Sequence, residues 1–285
     1  MAIVKSYKIV SSNNTVHIPV AEPIVQETDE QIIARLRDRF EILDDMTRAV
    51  KKGHIRSMVV SGPPGVGKSH GVERVLGKHQ FLADVAGDPS LKKFEIIKGS
   101  MTALGLFTKL YEYSKAKHVL VFDDCDSIFY DDVSLNLLKA ALDSGQSRRI
   151  SWLSDSRLLK NEGIPNSFDF HGGIIFITNM DFDHVRSSKL RPHIEALESR
   201  VHYLDLTIKT DYEKMLRIKQ IVHDGMLSDY SFANSEIDDI LDYIETNQSK
   251  LRELSLRTVL KTADLCKSFP DKWHRMADVS ILKKS

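Results

Sequence analysis

Residues 57–78 contain one arrangement that limits the fold more than any other stretch of the chain. Ser57-Met58-Val59-Val60-Ser61 is a short, almost wholly apolar run. It leads directly into Gly62-Pro63-Pro64-Gly65-Val66-Gly67-Lys68-Ser69, and helical spacing begins at His70. A strand, a glycine-rich turn and a helix in immediate succession form a phosphate-binding loop. Gly62, Gly65 and Gly67 let backbone N–H groups converge without Cβ interference, and the helix that follows, opening with His70, directs its positive end at the same point. At this spacing Lys68 reaches the β- and γ-phosphates of a nucleotide and the Ser69 hydroxyl ligates Mg²⁺. Pro63, Pro64 and Val66 complete the wall of the loop.

The same alternation recurs downstream. Phe94-Glu95-Ile96-Ile97 reads as a strand and is followed by helical spacing through Leu104, Phe107, Leu110 and Tyr111. His118-Val119-Leu120-Val121-Phe122 is a second apolar run, with helical spacing from Val133 to Leu142 behind it. Ile174-Ile175-Phe176-Ile177 is a third. Strands apolar on both faces and alternating with helices predict a parallel sheet sandwiched by helices, an α/β fold. Ahead of these, Ile32, Ile33, Leu36, Phe40, Leu43, Met46 and Val50 predict an amphipathic helix from Asp29 to about Lys52, stopped by Gly53. Beyond about Thr207 only helical spacing remains. The expected organisation is an N-terminal arm over residues 1–30, an α/β nucleotide-binding domain over 31–206 and a small all-helical lid domain over 207–285.

A phosphate loop needs a metal-holding carboxylate at the end of a neighbouring strand, and Val119-Leu120-Val121-Phe122-Asp123-Asp124 has that form. Asp123 is expected to hold Mg²⁺ and Asp124 to orient or deprotonate the attacking water. Asp126 lies close by, although acids here could also cap the next helix. With both elements quoted, the chain resembles the AAA+ ATPases, whose loops carry the Gly-Pro-Pro-Gly form, from about Ala34 to Lys267. The family usually has Glu where this chain has Asp124, so the resemblance implies nucleotide binding more firmly than fast turnover.

What the resemblance implies can be followed residue by residue. The fold expected is a P-loop AAA+ parallel five-stranded sheet sandwiched by helices, followed by the helical lid. The activity expected is ATP hydrolysis to ADP and phosphate, with ATP and Mg²⁺ bound. Asn179, after Ile175-Phe176-Ile177-Thr178, looks like the sensor 1 residue that positions the lytic water. Arg200, in Ala196-Leu197-Glu198-Ser199-Arg200, corresponds to the arginine finger that reaches the neighbouring subunit's γ-phosphate, with Arg191 a rival for that role. Arg257, in Leu254-Ser255-Leu256-Arg257, resembles the start of the sensor 2 helix. A trans finger implies a homo-oligomeric ring, of which a hexamer is one form. His54 and Ile55 are candidate adenine neighbours.

The molecule acted upon is less well marked. Lys+Arg and Asp+Glu both number 40, so overall charge gives no reason to expect nucleic acid. Residues 144–173 form a longer connection than a minimal core requires and read as a hairpin. Within it Arg148-Arg149-Ile150-Ser151-Trp152 could hold a phosphate and stack a base, or could pack the hairpin on its own core. After Lys98-Gly99-Ser100, no aromatic stands where protein-unfolding relatives carry a pore loop. The partners left open are DNA, as for a helicase- or loader-type motor of the kind encoded by large bacteriophages, and a protein that is remodelled or switched. Cys125 and Cys266 lack metal-ligand spacing and fit a reducing, cytoplasmic setting. No apolar run suggests a membrane partner.

Overall fold

The computed structural model describes residues 27–77, 85–87, 92–185, 187–188 and 190–284. The arm expected over 1–30 therefore lies outside the described residues as far as residue 26. From Asp29 the chain is already helical: α1 spans Asp29–Lys52. It starts at Thr28, whose hydroxyl accepts from the Gln31 N–H while the Gln31 side chain accepts from the Thr28 N–H. Such a reciprocal cap stabilises a helix by about 1 kcal/mol. Gly53, in the left-handed region at φ 77°, ends it where the apolar periodicity stops.

Five strands form one parallel sheet: β1 (Ser57–Ser61), β2 (Phe94–Lys98), β3 (Val119–Asp123), β6 (Gly173–Thr178) and β7 (His202–Asp205), in the spatial order β2-β3-β6-β1-β7. Between them run α2 (Lys68–Gly77), α3 (Ala103–Glu112), α4 (Asp132–Ala141) and α6 (Arg191–Glu198). Every residue of β1, β3 and β6 is buried, which is why these strands read as unbroken apolar runs. Alternate residues feed opposite faces. Val59, Leu120, Phe122, Ile174 and Phe176 join one core with Phe107 and Leu138, while Met58, Val60, Val121, Ile175 and Ile177 join another with Leu43 and Val72. Phe122 and Phe176 sit opposite each other in register and stack with ring centroids 5.4 Å apart. Each such fully buried large side chain contributes roughly 1.5–3 kcal/mol.

The long connection does form a hairpin. Strands β4 (Arg149–Ser151) and β5 (Ser167–Asp169) pair antiparallel, with the short helix α5 (Arg157–Asn161) between them. Ile150 and Phe168 are buried in the same core as Phe107. Of the two readings of Arg148 and Trp152, contact with a nucleic acid or packing of the hairpin on its own core, their geometry matches the second. Arg148 is buried, donates to the carbonyls of Ala141 and Gly172 at 3.0 and 3.1 Å, and lies over the Phe170 ring. Trp152 packs on Phe107. Their charge and ring area are spent closing the hairpin against the sheet domain.

After β7 come α7 (Asp211–Ile221), α8 (Asn234–Thr246), α9 (Leu256–Ser268) and α10 (Trp273–Ser280). Ile240, Ile244, Val259, Ala263 and Trp273 give this helical region a core of its own. It is joined to the sheet through a smaller cluster of Ile32 and Leu36 from α1, Val66 from the loop, Ile208, and Leu216 from α7. An ion pair between Arg35 and Glu213, 2.6 Å long, spans the same junction. This is the architecture the AAA+ resemblance implies, a five-stranded parallel sheet between helices followed by a helical region.

Candidate functional site

The carboxyl ends of β1, β3 and β6 lie side by side, since Ser61 pairs with Thr178 and Asp123 with Ile177. Open parallel sheets bind ligands at this end, where neighbouring strands send their loops apart. The segment Gly62–Gly67 leaves β1 here. Gly62, Gly65 and Gly67 have φ values of 155°, 70° and 103°, so the loop needs glycine at all three positions. The N-terminus of α2 begins at Lys68, as the motif requires.

Five of the expected residues converge. Ser69 Oγ donates to Asp123 Oδ1 at 2.9 Å. Asn179 Nδ2 donates to Asp124 Oδ1 at 3.0 Å, and Asn179 Oδ1 accepts from Lys68 Nζ at 2.8 Å. Lys68 Nζ also donates to the carbonyls of Gly62 and Pro63 at 2.7 and 2.8 Å. The ammonium is therefore folded onto its own loop, with three acceptors. Asp123 is buried, and Asp124 stands in the left-handed region at φ 54° with its N–H on the Ile177 carbonyl. Asp and Asn enter that region more readily than longer side chains. This gives a local reason for Asp at a position where the AAA+ resemblance led to an expectation of Glu.

The helical region closes the other side. Leu256 N–H donates to Gly65 O at 3.0 Å, and a Cβ on Gly65 would stand 2.5 Å from Ser255 Cβ. Arg257, one residue into α9, is exposed, and its charge is close enough to depress the ionisation of Lys68. Ser255 Oγ and Glu253 Oε1 are buried without hydrogen-bond partners among the described residues, and both face Gly65. Neither was anticipated from sequence, because nothing in the spacing of residues 253–255 marks them as neighbours of a loop almost two hundred positions away. Lys98 was also missed as a site residue. Its ammonium lies 3.4 Å from Asp123 Oδ2, and the parallel register that sets Lys98 beside Asp123 is the signal that could have found it.

Other expected residues lie elsewhere. Arg200 sits under the amino end of the sheet, its carbonyl accepting from the hydroxyl of Ser57, the first residue of β1. The length of β1 therefore separates it from its own loop, about 13 Å at 3.3 Å per residue. Its Nη1 donates to Ala196 O at 2.6 Å, and its Nε is buried without a partner. Arg191 is exposed and pairs with Glu195. His54 and Ile55 follow the end of α1 and precede β1. They too are at the amino end of β1, the length of that strand from the start of the loop.

Electrostatics follow from burial. Lys68 is pulled down to about 8, chiefly by burial, against the opposing pull of Asp124 and Asp123. Burial also raises Asp126, which is partly offset by a hydrogen bond with Thr178. It pushes the Cys125 thiol up to about 11, so this cysteine stays protonated beside Asp123. Lys68 gives a pH dependence with a definite sign. Its depressed value means that the folded chain holds fewer protons than the unfolded chain between about pH 8 and the ordinary lysine range. Stability from this group is thus complete above that range and is lost as pH falls to about 8. Binding to phosphates demands the ammonium form. Nucleotide affinity should therefore be flat with respect to Lys68 below pH 8 and fall by up to about tenfold per unit above it. Calorimetric titration at pH 7.5 and 9, in buffers of different ionisation enthalpy, should show this loss together with proton uptake at the higher pH.

With the geometry described, comparison with known proteins adds a relationship. No family model matches the chain. A protein of Enterobacteria phage T4, described as "Uncharacterized 36.7 kDa protein in nrdC-mobD intergenic region", is 35% identical over 256 residues, covering 89% of this chain and 76% of the T4 protein. The chain belongs to the family of that phage protein. Among solved structures, it is similar to AMPPCP-bound DnaA from Aquifex aeolicus, with a TM-score of 0.46, 12% identity, and coverage of 85% of this chain and 66% of that one. A DNA replication initiation factor gives a TM-score of 0.43 at 13% identity, over 85% of this chain and 64% of that one. The chain thus spans just under two thirds of both structures. These likenesses concern the fold alone.

Proposed function

We propose that this member of the phage family is an AAA+ ATPase that binds ATP with Mg²⁺, hydrolyses it to ADP and phosphate in a homo-oligomeric ring such as a hexamer, and uses the energy to remodel a macromolecule. The observation that carries the reading is the pair Ser69–Asp123 beside the chain Lys68–Asn179–Asp124 at the mouth of a glycine loop. The residues present suit the ligands. Three glycines hold positive φ around the loop, and a hydroxyl and a buried carboxylate meet at one point, a donor pair of the kind Mg²⁺ takes together with phosphate oxygens. Bound there, Mg²⁺ supplies positive charge against the phosphate oxygens.

The chain's own residues divide the remaining work. Gly62, Pro63, Pro64, Gly65, Val66, Gly67 and His70 belong to the cradle and to the helix end behind it. Lys68 exchanges its three protein acceptors for phosphate oxygens. Asp124 accepts the proton of the attacking water, and Asn179, held to Asp124, orients that water. Arg257 meets the γ-phosphate from the helical region. We read residues 31–206 as the nucleotide-binding domain and 207–285 as its lid. Arg200, too far from its own loop to serve it, is read as the finger offered to a neighbouring subunit.

For the remodelled molecule we favour DNA, in the manner of a helicase- or loader-type motor. A protein partner is the second reading, favoured by Arg148 and Trp152, which are engaged with the hairpin's own core. Steady-state ATPase assays, with and without single- and double-stranded DNA, test both levels. Hydrolysis is expected in the wild type, stimulated by DNA, and lost in Lys68→Ala. Hydrolysis that persists in Lys68→Ala would remove the ATPase reading. Hydrolysis indifferent to DNA would leave the ATPase and shift the substrate to protein.

A further inference from the structure

At the amino end of the sheet, opposite the phosphate loop, a cavity of about 530 Å³ opens between the last turns of α1 and α2 and the starts of β2 and β3. Its size falls in the range of small-molecule pockets. Arg48, Lys52, Arg74, Lys93 and Lys117 stand around it, all exposed, and Leu76 and Phe94 provide apolar wall. Asp44 pairs with both Arg48 and Arg74, and Asp45 with Arg48. The ammonium groups of Lys52, Lys93 and Lys117 have no carboxylate or hydrogen-bond partner among the described residues. The chain as a whole has equal numbers of cationic and anionic residues, so this concentration is not a by-product of a basic composition.

Like charges gathered around a concavity with apolar walls repel one another, and the walls focus their potential into the opening. A ligand that lowers that energy carries several negative charges, and the half-buried Phe94 ring offers a face for a flat apolar group. The geometry points to a second site, separate from the ATP loop, that takes a nucleotide unit: its phosphates among Lys52, Lys93 and Lys117, and its base against Phe94 and Leu76. The unit can come from a free nucleotide or from a strand of nucleic acid. A bare inorganic anion would leave the apolar wall unused. The site does not depend on the ATPase reading, because it uses none of the loop residues.

The test uses the full chain carrying Lys52→Gln, Lys93→Gln and Lys117→Asn together. Asn is chosen at 117 because Lys117 has φ 66°, which Asn tolerates. One arm follows fluorescence anisotropy of a labelled thymidine strand of about fifteen nucleotides, the length of a typical single-strand site. The other measures AMP binding by equilibrium dialysis on a Lys68→Ala background, in which the loop is disabled. In the strand arm, the triple variant should lose about tenfold or more in affinity at low salt. Its log–log salt slope should fall by about 2, the share of three phosphate contacts. Loss confined to the strand identifies nucleic acid as the source, and loss confined to AMP identifies a free nucleotide. Failure of both probes to bind without the triple substitution, or unchanged binding in the triple variant, overturns the site. The far-ultraviolet circular dichroism spectrum and melting temperature of the triple variant should match those of the parent chain and serve as the folding control. Should the triple variant melt early, the single exchange Lys93→Glu carries the same expectation in direction, and unchanged binding there overturns the site equally.

Discussion

Asp124→Asn should bind ATP and fail to hydrolyse it, with turnover reduced by about 10²–10⁴-fold, the usual contribution of a positioned general base. The substitution is mild for the fold. Asn accepts the left-handed backbone that Asp124 occupies at φ 54°, and its side-chain oxygen can still receive the Asn179 amide now bonded at 3.0 Å. What is removed is the carboxylate charge. The loss has a second reading, because Asp124 is the strongest of the charges that hold the Lys68 value up. Without it Lys68 sheds its proton at lower pH, and the fall in ATP affinity should begin below pH 8 rather than above it. Turnover within tenfold of the wild type would sink the assignment of Asp124 as base.

Arg200→Ala should also retain ATP binding. As a finger acting across subunits it should lose about 10³–10⁵-fold in turnover, the range for such arginines. Its position under the amino end of β1 rules out help to its own loop. Mixing Arg200→Ala with Lys68→Ala chains should therefore restore part of the activity, since one supplies the loop and the other the finger. Turnover of the wild type per chain should rise with protein concentration. If mixing restores nothing while Arg191→Ala proves as damaging, Arg191 is the finger, which would require it to leave its pair with Glu195. The Arg200 change also has a stability readout. Its Nη1 bond to Ala196 is lost, together with a buried Nε that has no partner, so the net cost should be small.

Most of the sheet was legible because β1, β3 and β6 are buried on both faces, which leaves an unmistakable run of apolar residues. β7 was not located, because His202-Tyr203-Leu204-Asp205 lies at the sheet's edge, half exposed, and carries no such run. The site residues at the ends of β1, β3 and β6 could be found because strand ends fix position within a few ångströms. Residues that meet the loop from the helical region could be anticipated only at Arg257. Contacts such as Ser255 against Gly65 depend on how the two cores dock, which no local pattern encodes. His54 and Ile55 are near the loop in number and a strand away in space, and Arg148 offers the sequence the same charge whether it faces solvent or caps two carbonyls.

The Asn179 amide is used at both ends, one toward Lys68 and the other toward Asp124. Any polyanion that draws Lys68 off the loop leaves the amide oxygen without its donor, a few ångströms from the carboxylate. On the proposed reading, a place for a water next to Asp124 would open once a ligand has drawn Lys68 away. Without a ligand, one lysine holds Asn179 and two loop carbonyls together through three bonds. Sequence of events, rather than strength of binding, is what this small knot enforces.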